Sequence, residues 1–145
     1  MITFLRHAES VNNRYHLDEQ DPPLTDDGIV QARLLKGDYD YILISPMLRT
    51  RETYEFSQIT GSIIEYSTLC REKIGTAYHH GQIMAGEQNL IEPSKSFDYR
   101  MHLLELDLKE KITRYDRILV ITHHGVIKAL TNQSAKNASL VHLNL

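Results

Sequence analysis

The chain has 145 residues, enough to bury one core and too few for two ordinary domains. Hydrophobic residues make up 41% and charged residues 24%, which excludes a disordered composition, and no apolar run is long enough to span a bilayer. The formal charge of -3 excludes a broad basic face for nucleic acid or anionic lipid, so phosphate chemistry would need a focused group of Arg and His.

Met1 to Leu5 is an apolar, β-branched run that reads as a buried strand, followed at once by the polar stretch Arg6 to Asn13. Thr25 is placed to cap a helix over Asp26 to Lys36, with Ile29, Ala32 and Leu35 on one side and Gly37 as its stop. Tyr41 to Ile44 reads as a second buried strand. Ser45 then caps a helix with Pro46 in its first position and Arg49 in its first turn. Ile63 to Tyr66 is a weaker third strand leading into a loop with Glu72.

From Thr76 to Ser94 the pattern breaks into glycines, histidines and a proline, the composition of a loop or lid. Ser96 to Tyr115 is a helix, because Phe97, Met101, Leu104, Leu108 and Ile112 recur at intervals of three and four. Arg117 to Thr122 holds another buried strand, His123, His124 and Gly125 open a short helix, and Ser139 to Leu145 alternates as a closing strand.

Alternating strands and helices predict an α/β fold, a three-layer α/β/α sandwich with a mostly parallel sheet. The expectation is a single domain over 1–145 with a short lid insertion around 76–95. Ligands of such sheets bind beyond the carboxyl ends of the strands. Those ends carry Arg6 and His7, Ser45 to Arg49, and His123 with His124. Guanidinium forks and helix N-termini suit a phosphoryl group, and a neutral imidazole nitrogen among them can attack phosphorus.

The segment Leu5-Arg6-His7-Ala8-Glu9-Ser10 resembles the signature of the histidine phosphatase (phosphoglycerate mutase-like) superfamily. Asn13, the block Asp21-Pro22-Pro23-Leu24-Thr25 with Gly28, Gln31 and Ala32, and Ser45 through Thr53 are similar to successive motifs of that family. So are Ile121 to Ile127 and the stretch from Asn137 to Leu145. The resemblance implies that His7 is the phosphorylated nucleophile, that Arg6, Arg49 and His123 hold phosphoryl oxygens, and that Asn13 adds a neutral donor. It implies Glu72 as proton donor, with Glu87 and Glu92 in reserve. Arg51 does not occupy the family's arginine position. Ala8 and His124 stand where glycine is more usual, and the segment around Glu72 is one residue tighter than the family pattern.

The function so implied is hydrolysis of a phosphomonoester, or of a phosphohistidine, through a covalent phosphohistidine. Phosphoglycerate mutase-type transfer is the alternative enzyme reading. It is disfavoured by the short insertion after Glu72 and by a chain that stops after its final strand. A catalytically silent phospholigand-binding protein is the reading from another class, and the set His7, Arg6, Arg49 and His123 argues against it. The substrate class is a small phosphorylated molecule. His79, His80, His123 and His124 suggest a metal site, but adjacent loop histidines cannot easily aim both rings at one ion, so neither metal nor cofactor is expected. A lone cysteine, Cys70, and the want of an apolar leader fit the cytoplasm.

Overall fold

The computed structural model describes residues 1–17, 19, 21–73 and 92–144. Its strands are Ile2–Arg6 (β1), Lys36–Ile44 (β2), Gln58–Tyr66 (β3), Ile118–Thr122 (β4) and Leu140–Leu143 (β5). Its helices are Val11–Tyr15 (α1), Asp26–Arg33 (α2), Leu48–Phe56 (α3), Ser94–Lys111 (α4) and His124–Thr131 (α5). The strands form one sheet in the order β3-β2-β4-β1-β5, in which only β5 runs antiparallel.

Side chains of the central strands alternate between two cores. Ile2, Phe4, Tyr41, Leu43, Ile118 and Val120 face α4 and α5, where Phe97, Met101, Leu104, Leu108, Val126 and Ile127 meet them. Leu5, Ile42, Ile44, Leu119 and Ile121 face the other way, against Leu35 and Tyr54. Every residue of β4 is buried, which is why its sequence reads as a continuous apolar run. Burying one such Ile or Leu contributes roughly 1.5–3 kcal/mol relative to leaving it in water. The three layers are those expected, and the closing strand is the antiparallel edge. No helix among the described residues is long and apolar enough to cross a membrane.

Several boundaries differ from the sequence reading. The helix capped by Thr25 stops at Arg33 rather than Lys36, because Lys36 and Gly37 pair with Gln58 and Ile59 as the start of β2. Gly37 is thus a strand residue at φ +149, not a helix stop. Ser45 and Pro46 lie before α3, which begins at Leu48 behind Met47. The Ser45 hydroxyl pairs with His123 instead of capping the helix. α4 begins at Ser94, inside the stretch read as loop, with Pro93 supplying the extended residue before it and accepting the Phe97 N–H. The rest of the expected lid from 76 lies outside the described residues up to 91. α1 has no counterpart among the elements that the sequence predicts. Its five residues are held by a capping box in which Ser10 and Asn13 satisfy each other's backbone N–H groups.

Candidate active site

Parallel register brings distant residues together. Arg6 pairs with Thr122, so the next residues of each strand, His7 and His123, leave the sheet side by side. The His7 N–H donates to the Thr122 carbonyl at 3.1 Å, and the two rings stand 5.3 Å apart. On the other side of β4, Ile44 pairs with Ile121, and Ser45 leaves next to His123. The Ser45 Oγ lies 2.8 Å from His123 Nε2.

His7 is buried and its tautomer follows from geometry. Nδ1 lies 2.7 Å from the Ala8 carbonyl oxygen, which can only accept, so Nδ1 carries the proton. Burial first, then the charges of Arg49 and Arg6, push His7 well below the ordinary imidazole range. The ring is therefore neutral at pH 7 and keeps its lone pair on Nε2. The Arg49 Nε donates toward that nitrogen at 3.3 Å.

Arg49 itself is buried at the start of α3, where Thr53 ties its turn to the His7 loop. The Thr53 hydroxyl donates to the Arg49 carbonyl at 2.6 Å and accepts from the Ala8 N–H at 3.0 Å. Arg49 Nη1, Arg6 Nε and His123 Nδ1 are buried with no hydrogen-bond partner among the described residues. For the two guanidinium nitrogens, which can only donate, this costs about 1–3 kcal/mol each, and a bound oxyanion removes that cost. Arg6 is anchored by Nη1, which donates to the Ala135 carbonyl at 2.8 Å. Burial, then Arg49 and His7, lower His123 in the same way as His7.

Asn13 Oδ1 accepts from Ser10 N and Oγ and from Asn137 Nδ2, so the amide's NH2 is the end left for an anion. Asn137 Nδ2 also donates to the His7 carbonyl at 3.2 Å. Glu72 lies beyond a single 3-10 turn, Thr68–Cys70. Its Oε1 accepts from the Lys73 N–H at 2.9 Å and its Oε2 from the Gly125 N–H at 3.2 Å. Its charge acts on both Arg6 and Arg49. A Cβ at Gly125 would come within 2.4 Å of Glu72 Oε1, so any side chain there would displace the end of the Glu72 side chain.

The two reserve carboxylates divide differently. Glu92 is engaged in a two-point ion pair with Arg100, and Glu87 lies outside the described residues. Arg51 is partly buried about 200° around α3 from Arg49. His124 is partly exposed at the first position of α5. Among the described residues no group of three or more His, Cys, Asp or Glu is placed to hold a metal ion. His79 and His80 lie outside those residues.

The sequence reading missed the contacts that Ser45, Thr53 and Arg100 make. Ser45 and Pro46 together imitate a helix start, and the histidine that the serine meets is 78 residues away. The strand-end position of Ser45, shared with His7 and His123, was the available signal.

Residues 2–77 match the family model of the histidine phosphatase superfamily (branch 1). No curated protein sequence matches the chain. Among solved structures, the alpha-ribazole phosphatase of Shigella flexneri is similar with a TM-score of 0.72 at 18% identity, over 96% of this chain and 87% of that one. The phosphoserine phosphatase of Entamoeba histolytica, solved with 3-phosphoglyceric acid, is similar with a TM-score of 0.70 at 19% identity, over 96% and 87%. At such identities the likeness is one of fold.

Proposed function

The chain belongs to the histidine phosphatase superfamily, and from that premise we propose that it hydrolyses phosphate monoesters of small molecules through a covalent phosphohistidine on His7, without a metal. The observation that carries this reading is the neutral His7, whose Nε2 lone pair faces Arg49, while Arg49 Nη1 and His123 Nδ1 have no partner among the described residues. The names of the two similar structures, both phosphatases of small phosphorylated molecules, support the substrate class.

In the first step His7 Nε2 forms a bond to phosphorus as the bond to the ester oxygen breaks, and Glu72, protonated by the water of the preceding turnover, gives that oxygen its proton. In the second, water attacks phosphorus, the Glu72 carboxylate takes the water's proton, and the N–P bond breaks to release phosphate. Arg6, Arg49 and His123 meet the charge on the equatorial oxygens, the service a metal would otherwise perform. Asn13 adds an uncharged donor.

The test is release of inorganic phosphate from p-nitrophenyl phosphate in EDTA. The expected result is catalytic turnover, with one phosphate released per nitrophenol. Binding without turnover would make the protein a phospholigand carrier, and restoration of activity only by added divalent metal would overturn the metal-free mechanism.

A further inference from the structure

Arg100 is a buried arginine on α4 whose charge reaches His123, and all five of its N–H donors are engaged. Nε and Nη2 donate to the two carboxylate oxygens of Glu92 at 2.9 and 2.8 Å. Nη1 donates to the carbonyls of Leu69 and Arg71 at 2.8 and 2.7 Å, and Nη2 also reaches the Glu72 carbonyl at 3.5 Å. The guanidinium lies over the Phe97 ring, 5.1 Å from its centre. Three carbonyls within four residues thus converge on one planar cation, and the last belongs to Glu72.

The segment has little regular structure to hold it otherwise. It follows edge strand β3 through the short 3-10 turn, and the Thr122 hydroxyl, from β4, donates to the Cys70 carbonyl. At the far end the Glu72 carboxylate rests on Gly125. A carboxylate that must pass a proton to a leaving oxygen has to be held within about half an ångström of its place. Loop backbone alone does not give that precision.

We propose that Arg100, with Glu92 as its counter-ion, is a positioning residue that sets the place of Glu72 for proton transfer to the leaving group. The proposal rests on the reading of Glu72 as the acid. The demand is specific to arginine, since a lysine has three donors on one nitrogen and cannot fork to Glu92 while holding three carbonyls. Its signature is a dependence on the leaving group. An alkoxide needs a proton to depart and nitrophenolate does not, so displacing the acid slows alkyl esters selectively.

The experiment measures single-turnover phosphorylation rates with propyl phosphate and p-nitrophenyl phosphate for Glu72→Gln, Arg100→Lys and the pair combined. Glu72→Gln is expected to lose roughly 10²–10⁴-fold on the alkyl ester and far less on the nitrophenyl ester. Arg100→Lys is expected to lose about 10- to 100-fold on the alkyl ester, again selectively, and to add nothing selective in the Glu72→Gln background. Glu92→Gln keeps an acceptor for Arg100 and should show a smaller loss of the same kind. It serves as the second variant if Arg100→Lys does not fold. Equal slowing of both substrates in the Arg100 and Glu92 variants, with Glu72→Gln still selective, overturns the positioning role and leaves the acid intact. A Glu72→Gln variant without selectivity removes the acid reading and this inference with it.

Discussion

The two sides of the site are built by different means. On the side of His7 and His123, both residues emerge from paired parallel strands, and their main chains are fixed by the sheet's own hydrogen bonds. On the side of Glu72, the chain has left the edge strand and is held by side chains that reach its carbonyls from α4 and β4. The difference teaches that the two histidines inherit their placement from the sheet, whereas the proposed acid depends on polar contacts that a single substitution can release.

The first way to break this comparison is Arg49→Lys, which removes a planar fork from the His7 side of the site. A loss of about 10- to 1000-fold in kcat/KM is expected, equal for alkyl and nitrophenyl esters, because the phosphoryl group is common to both. A leaving-group-dependent loss would mean that the two sides are not separate. Ser45→Ala sharpens the same point at lower cost, since His123 keeps its strand position and loses one hydrogen bond. Steady-state kinetics should show a decrease of roughly 2- to 13-fold, the factor that 0.5–1.5 kcal/mol represents, again without leaving-group preference.

The gentlest probe is pH. His7 and His123 are held neutral in the folded protein, well below the ordinary imidazole value of 6.5. Below pH 6.5 the unfolded chain binds protons at these positions and the folded one does not, so stability falls as pH falls. The slope contributed is up to about 1.4 kcal/mol per pH unit for each histidine, until the folded protein titrates. Urea denaturation of the wild type and His123→Gln between pH 7 and 5, in a phosphate-free buffer, should give the shallower dependence for the variant. Parallel dependences would place the His123 ring outside the buried, cation-lined site.

The sheet-fixed side was also the legible one. Apolar runs mark β1, β2 and β4, and the Arg and His residues at and beyond their ends lie where the strand-end rule expects a site. Arg6, His7, Arg49 and His123 are thus gathered by the sequence pattern itself. Element ends were less legible. Lys36 and Gly37 continue a helix by local pattern, and only their pairing with Gln58 and Ile59 makes them strand. Glu72 was identified by family resemblance alone, because nothing local distinguishes it from a solvated carboxylate. Its partners, Gly125 and the Arg100 clamp, come from parts of the chain 53 and 28 residues away. Glu92 stood as a reserve acid because sequence does not reveal that Arg100 engages both its oxygens.

The central claim is the bond between His7 and phosphorus, and trapping that bond tests it most directly. Protein mixed with phosphorus-labelled p-nitrophenyl phosphate and quenched in base within one turnover should carry label that is stable to base and lost in acid. Peptide mapping should place it on His7. His7→Ala, folded by circular dichroism, should carry none and should lose on the order of 10⁴-fold or more in turnover. Acid-stable label, label on another residue, or turnover surviving in His7→Ala would contradict the account.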